Sequence, residues 1–154
     1  MKVKIAYLII HYIVNPLRVF YWFVFRPETQ GVKNLIEHDG EFLFIRNTYG
    51  SGRWTLPGGG VHRNESPEAA ALRETKEEVS IDAEGIQNIG SFKQVKQYKK
   101  DTVHCFYSKA SSREFRIDPY EILEARWAKL SEIPQPYHPN VDTILDFYRA
   151  KYGS

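Results

Sequence analysis

The stretch "PGGGVHRNESPEAAALRETKEEVS", residues 57–80, contains three consecutive glycines and five glutamates. Ser66, Pro67 and Glu68 are typical of a helix start, because they supply an N-cap, a first-turn proline and an early acid. We expect the helix to run to about Val79. Small or apolar residues recur at helical spacing and predict its buried side: Ala70, Ala71, Thr75 and Val79.

Three glutamates of this helix occupy positions i, i+3 and i+4: Glu74, Glu77 and Glu78. Their carboxylates therefore emerge from one face, where like charges repel and cost stability unless a cation lies among them. Mg²⁺ is a hard cation that takes oxygen ligands and shares its coordination shell with substrate phosphates. The spacing therefore predicts a site for Mg²⁺ (or Mn²⁺).

The glycines before the helix suit such a site. Residues without side chains let the backbone approach closely. We expect the carbonyl of Gly58 to complete the metal shell, while loop amides face an anion.

Written out, the pattern is Gly59, five residues, Glu65, seven residues and then "RETKEE", residues 73–78, followed by Val79, Ser80 and Ile81. It closely resembles the Nudix box, G-x5-E-x7-R-E-U-x-E-E-x-G-U, where U is a bulky apolar residue. Thr75 stands where an apolar residue is usual, and Ser80 replaces the final glycine. Neither departure removes a ligand. The flanking segments "RWTLPGGG" and "EILEARWAKLSEIP" extend the resemblance over residues 31–133.

The resemblance implies an α+β fold, a Nudix-type α/β/α sandwich with a mixed β-sheet. It also implies an enzyme that acts on phosphorus-containing acid anhydrides, hydrolysing a nucleoside diphosphate linked to another moiety. Glu74, Glu77 and Glu78 would ligate the metals, Glu65 would bind an outer metal or its waters, and Arg73 would pair with the glutamates and hold them. Glu77, Glu78, Arg73 and Glu121 form the expected catalytic set.

The general base is expected in a box glutamate or in the loop before the late tryptophan-bearing strand. Glu121, six residues before Trp127, matches the family spacing better than Glu124. Arg46 and Arg53 are candidates for gripping phosphates, and Trp54 for stacking on a base. The same roles are open to Tyr49, Tyr98 and Lys96.

The rest of the chain predicts two similar halves. Residues 31–47 favour a hairpin that turns at Asp39-Gly40, and residues 54–56 a short strand. Residues 86–98 and 102–109 favour a second hairpin that turns at residues 99–101. A strand in the segment that starts at residue 122 and a helix at residues 141–152 complete an order ββ(β)α, ββ(β)α, which predicts a mixed sheet between helical layers.

The composition excludes several classes of protein. At 154 residues the chain fits one domain, and its formal charge of +2 comes from scattered rather than clustered basic residues. A nucleic-acid polymer is therefore not an expected partner, whereas a nucleotide-type small molecule is. The single cysteine, Cys105, excludes an internal disulfide and fits a reducing compartment, so we expect a cytoplasmic protein, with membrane association left open.

The N-terminal segment, residues 4–25, is apolar and aromatic. Its uncharged run, residues 5–17, is shorter than the roughly 20 residues that a membrane-spanning helix needs. As a helix it would be amphipathic. We expect residues 1–27 to form this helical segment and residues 28–154 the Nudix hydrolase domain. Three interpretations stay open: packing on the domain or in a homodimer, an interfacial membrane anchor, and a true span.

Two classes of function follow from the box. The first is a metal-dependent pyrophosphohydrolase, for which the short chain favours a nucleoside triphosphate as substrate. The second is a catalytically silent module of the same fold that senses a ligand or binds a membrane. Such silent modules typically lose a box glutamate, and this sequence keeps all of them.

Overall fold

The computed structural model describes residues 17, 21, 23–24, 27–96 and 98–153. Its elements are β1 (Glu28–His38), β2 (Glu41–Asn47), β3 (Trp54–Thr55), α1 (Pro67–Val79), β4 (Ala83–Lys96), β5 (Lys99–Ala110), β6 (Ile122–Ala128) and α2 (Asn140–Tyr152). This order matches the one predicted. The helix expected in residues 4–25 lies mostly outside the described residues, so the proposed boundary at residue 27 stays a prediction.

The sheet is mixed, as expected. Strands β1 and β5 run parallel, while β1 with β2, β2 with β3, β2 with β6, and β4 with β5 are antiparallel. One face packs on α1, where Val32 and Phe106 meet Ala70 and Ala71. The opposite face packs on α2 through a second set of buried residues that includes Leu35, Phe44, Val141, Ile144 and Leu145. The predicted α/β/α sandwich is therefore confirmed.

Of the two hairpin turns predicted from the sequence, the first is confirmed and the second is not. Asp39 and Gly40 both have positive φ angles, 49° and 77°, as a two-residue turn between twisted strands requires. The second predicted turn, residues 99–101, is wrong, because these residues begin β5. Lys96 pairs with Lys99, and Tyr98 between them takes the positive φ of 66°. The polar run at residues 99–101 reflects a solvent-facing sheet end rather than a turn.

The helix α1 begins and ends at the residues that the sequence indicates. The Ser66 hydroxyl accepts a hydrogen bond from the Ala69 N–H at 3.1 Å, and Pro67 occupies the first helical turn. At the other end Ser80 adopts the left-handed conformation, φ 57° and ψ 27°, and its N–H bonds to the Lys76 carbonyl. Ser80 thus takes the glycine conformation of the Nudix box at some steric cost.

The second departure from the box, Thr75, is explained by a buried polar contact. Thr75 is fully buried on α1, and its hydroxyl accepts a hydrogen bond from the Asn34 side-chain amide at 3.0 Å. The carbonyl oxygen of that amide accepts one from the Ser108 hydroxyl, also at 3.0 Å. Asn34 therefore links α1 to β1 and β5, and a polar residue at position 75 satisfies it.

No helix among residues 17, 21, 23–24, 27–96 and 98–153 is long and apolar enough to cross a membrane.

We predict that Thr75→Val lowers the free energy of unfolding by about 1–3 kcal/mol, because it leaves a buried amide donor of Asn34 without a partner. Chemical denaturation of both proteins measures the difference. In an Asn34→Ala background the donor is gone, so the same change should cost far less. Equal costs in the two backgrounds would show that the hydrogen bond does not stabilise the fold.

Candidate active site

The glycine loop fits between β1 and α1. Its backbone pairs with β1, since the Val32 N–H donates to the Gly59 carbonyl and the Asn34 N–H to the Pro57 carbonyl, both at 2.9 Å. Gly58 has a φ of 137°, and a Cβ atom there would collide with the Val32 carbonyl. A Cβ atom on Gly59 would lie 2.6 Å from the carboxylate of Glu74. Position 58 therefore requires glycine, whereas a side chain at position 59 would displace the Glu74 carboxylate, and the loop backbone lies directly against the acidic face of α1.

Glu78 is the buried member of that acidic face, with 2% of the residue exposed. Its Oε2 accepts a hydrogen bond from the Gly58 N–H at 2.8 Å. Burial raises the pKa of Glu78 to about 7, against the opposing charge of Lys33 and the hydrogen bond from Gly58. The Lys33 ammonium donates to the carbonyls of Leu56, at 2.6 Å, and Gly58, at 3.2 Å. An ionised Glu78 is therefore incompletely compensated by these groups alone.

Arg73 links the other box glutamates. Its Nε and Nη2 atoms grip both oxygens of Glu65 at 2.8 and 3.0 Å, and Nη2 also donates to the Gly60 carbonyl. Its Nη1 donates to Glu74 at 2.8 Å and to Glu77 at 3.1 Å. Hydrogen bonds from Arg73 lower the pKa of Glu65 to about 2, and those from Glu65 raise the pKa of Arg73. One planar guanidinium thus fixes three carboxylates relative to the loop.

The donor set fits a hard divalent cation. Among the described residues, no hydrogen bond reaches Glu74 Oε2, Glu77 Oε1 or Glu78 Oε1, so each carboxylate keeps one oxygen available. In the part of the chain that the structure describes, no group of three Asp, Glu, His or Cys side chains is already arranged to hold a metal ion. Arg73 accounts for this, since it draws Glu74 and Glu77 towards itself. Binding of a cation would therefore require the side chain of Glu77, which is 60% exposed, to turn.

The candidate base, Glu121, lies in the loop before β6. The Thr48 N–H donates to the Glu121 carbonyl at 2.9 Å, and the Thr48 hydroxyl donates to the Tyr120 carbonyl at 2.8 Å, which ties this loop to the end of β2. Tyr49, after β2, is 62% exposed, and its pKa is raised by partial desolvation and by the charges of Glu78 and Glu121. Glu121 therefore lies on the same side of the molecule as Glu78.

Glu124, the alternative base, is held in place by two arginines. Its carboxylate pairs with Arg46 at 2.9 Å and with Arg126 at 3.3 Å. The two guanidinium groups also lie over the ring of Trp54, at 5.7 and 5.3 Å from its centroid. Register explains the cluster, since Arg46 of β2 is paired with Trp54 of β3 on one side and with Glu124 of β6 on the other.

The predicted substrate-binding residues take different positions. Arg46 lies in this cluster, and its Nε atom is buried without a hydrogen-bond partner among the described residues. Trp54 is only 4% exposed, and Arg53 is an exposed residue before β3. Tyr98 lies at the β4–β5 turn, where it packs edge-to-face against Phe23. Arg126 was not among the residues predicted from the sequence, although its spacing of two from Glu124 on a strand places both side chains on one face.

A family model described as NUDIX domain matches residues 25–148. The chain belongs to the Nudix family. Nudix hydrolase 5 of Arabidopsis thaliana is 32% identical over 112 residues, which cover 68% of this chain. That match covers 37% of the plant protein, so this Nudix chain spans little more than a third of its length. The putative 8-oxo-dGTP diphosphatase of Bacillus subtilis is 28% identical over 112 residues, covering 73% of this chain and 74% of the relative.

Solved structures agree with the family. The MutT NUDIX hydrolase from Burkholderia pseudomallei superimposes with a TM-score of 0.71 at 27% identity, covering 77% of this chain and 96% of that structure. The MutT protein from Methanosarcina mazei gives a TM-score of 0.70, also at 27% identity, and covers 82% of this chain and 97% of that structure. The matches therefore extend well beyond the box.

We predict that Glu78→Gln stabilises the metal-free protein at about pH 8, because it removes a buried charge. The folded-state pKa is raised from 4.5 to about 7, so the cost of ionising Glu78 is absent below the lower value and fully present above the higher one. Thermal unfolding without and with Mg²⁺ measures both effects, and Mg²⁺ should raise the Tm of the wild type more than that of the variant.

Glu77→Gln is the matched control, since Glu77 is largely exposed and its loss should leave the metal-free Tm almost unchanged. A Glu78→Gln protein that is less stable than the wild type without metal at that pH would contradict the prediction.

Proposed function

We propose that this chain is a divalent-metal-dependent pyrophosphohydrolase, using Mg²⁺ or Mn²⁺, that cleaves a nucleoside diphosphate linked to another moiety. The observation that carries the proposal is the single acidic face of α1, Glu74, Glu77 and Glu78, set against the glycine loop in a chain of the Nudix family. Several relatives bear names of the same chemistry, including an RNA pyrophosphohydrolase of Cellvibrio japonicus.

Under this proposal Glu74, Glu77 and Glu78 hold the metal, with Glu65 and the Gly58 carbonyl at its periphery. A bound divalent ion would neutralise pyrophosphate oxygens and lower the pKa of a coordinated water. Arg73 is a positioning residue, because it fixes Glu65 and Glu74 and restrains Glu77 through one guanidinium. The loop backbone excludes side chains from the space above Glu74, where a phosphate must enter.

Glu121 is the proposed general base. Hydrolysis forms a bond between a water oxygen and one phosphorus atom, breaks the anhydride P–O bond, and requires the water to lose a proton. Glu121 would accept that proton, since it faces the same region as Glu78 and forms no ion pair among the described residues. Glu124 is already held by Arg46 and Arg126, so its role is to orient those two arginines.

Substrate binding is assigned to Arg46 and Arg126. Two guanidinium groups share one carboxylate, so the cluster keeps an excess positive charge for a phosphate or a base edge. Trp54 is too buried to stack on a base and instead supports both guanidinium groups. The name of the Bacillus subtilis relative, a putative 8-oxo-dGTP diphosphatase, makes nucleoside triphosphates the first substrates to test.

We predict that Glu77→Gln lowers kcat about a hundredfold or more while the Tm changes little, because Glu77 is exposed but supplies a metal oxygen. The assay is a panel of nucleotides with and without Mg²⁺, with products identified by mass. Glu68→Gln is the matched control, since it makes the same change at an exposed position in the first turn of α1. Equal turnover by wild type and Glu77→Gln would contradict the metal role of Glu77, and no Mg²⁺-dependent turnover of any nucleotide by the wild type would leave the catalytically silent module as the better description.

We also predict that Glu121→Gln lowers kcat by about a hundredfold while KM changes little. Glu124→Gln should instead raise KM, since it releases Arg46 and Arg126 and leaves the base in place. Steady-state kinetics of both variants separate the two roles, since one change acts on kcat and the other on KM. If Glu121→Gln kept the wild-type kcat, Glu121 would not be the general base, and a box glutamate would be the remaining candidate.

A further inference from the structure

The end of the sheet where β4 turns into β5 is strongly basic. Residues 93–101 carry four lysines, Lys93, Lys96, Lys99 and Lys100, and one acid, Asp101. Asp101 accepts hydrogen bonds from Thr29 and Gln94, and Glu28 is the strand partner of Lys100. The lysines therefore outnumber the nearby acids.

Apolar side chains lie among these lysines. Val95 is 78% exposed, the most exposed valine that the structure describes, and the Tyr98 ring is about half exposed at the turn. Val95 pairs with Lys100 across the hairpin, and Lys93 lies two residues before Val95, so these three side chains share one face. We call Lys93, Val95, Tyr98, Lys99 and Lys100 the basic hairpin tip.

The N-terminal segment meets this tip. The described helical residues Leu17, Tyr21, Phe23 and Val24 are each at least half exposed. Phe23 packs edge-to-face on Tyr98 with ring centroids 5.2 Å apart, and the Lys100 N–H donates to the Pro27 carbonyl at 3.1 Å. Residues 1–27 contain four basic residues and no Asp or Glu. The exposed Phe23 and the lysines of the tip therefore lie next to each other at this end of the sheet.

We propose that this surface docks on an anionic lipid bilayer. Exposed aliphatic and aromatic side chains gain free energy at the boundary between headgroups and acyl chains, and surrounding lysines are attracted to anionic headgroups. A second copy of the chain fits less well, because a symmetric contact would place one set of lysines against the other. The charge of the tip thus selects the bilayer over a homodimer as the partner.

Docking would also orient the candidate active site. A polar pocket of about 630 Å³ is lined both by Lys99 of the tip with its neighbour Asp101 and by Gly60 and Glu65 of the Nudix box. A bilayer bound to the tip would therefore lie beside Glu65 of the candidate active site. The proposal does not depend on which substrate is cleaved there.

The experiment is sedimentation of the full chain with two kinds of vesicle. One kind is pure phosphatidylcholine and the other an equimolar mixture with phosphatidylglycerol. We expect binding to the mixed vesicles that weakens as salt is raised, and far less binding to the neutral ones. Equal binding to both kinds, or to neither, would overturn the proposal.

Substitutions within the basic hairpin tip test whether this surface is the part of the chain that binds the vesicles. Lys93→Glu/Lys100→Glu should weaken binding to the mixed vesicles by at least about tenfold. Val95→Glu should also weaken it, through loss of apolar contact and through repulsion between the new carboxylate and the anionic headgroups. Lys129→Glu is the control, since Lys129 is exposed directly after β6, at the end of the sheet opposite to the tip. Far-ultraviolet circular dichroism checks that each variant is folded.

Two results would overturn the assignment of the tip. One is unchanged binding by folded Lys93→Glu/Lys100→Glu. The other is a wild type that does not bind the mixed vesicles and sediments as a dimer, while Val95→Glu sediments as a monomer. That result would identify the surface as an interface between copies of the chain. Hydrolysis of a water-soluble nucleotide should be the same in the wild type and in Lys93→Glu/Lys100→Glu, so this test is separate from that of the proposed activity.

Discussion

The close approach of the glycine loop to α1 is the constraint on which the candidate site depends. The loop continues the hydrogen bonding of β1 through the Gly59 and Pro57 carbonyls and at the same time donates the Gly58 N–H to Glu78. Any side chain at Gly59 would enter the space of the Glu74 carboxylate. Backbone atoms can therefore face an acidic helix surface at contact distance, which is the arrangement that a cation and a diphosphate need.

Charge balance is the second constraint. Arg73 compensates Glu65, Glu74 and Glu77 together, so the fold is stable with three carboxylates close to one another. Glu78 lies outside that pairing and is buried, and its raised pKa reports the cost of its charge. Arg73 does not compensate Glu78, whose carboxylate accepts the Gly58 N–H, so a divalent cation bound beside Glu78 would stabilise its ionised form.

Local signals in the sequence predicted those parts of the fold that depend on neighbours along the chain. The Asp39-Gly40 turn and the Ser66 cap are decided by backbone conformation and by hydrogen bonds over a few residues. The β4–β5 turn was misplaced because its positive φ falls on Tyr98, a residue that gives no turn signal. Its true position depends on the pairing of β5 with β1, which is a long-range contact.

By itself the sequence determined the acidic face of α1, the glycines that oppose it and the family, because these depend on residue type and spacing along one helix and one loop. Only the tertiary structure decided that Thr75 satisfies Asn34, that Arg126 joins Arg46 over Trp54, and that the N-terminal segment meets the basic hairpin tip. Each of these contacts joins residues that are distant in sequence. Strand register and the packing of separate elements bring these residues together, and neither can be predicted from the spacing of residues within one segment.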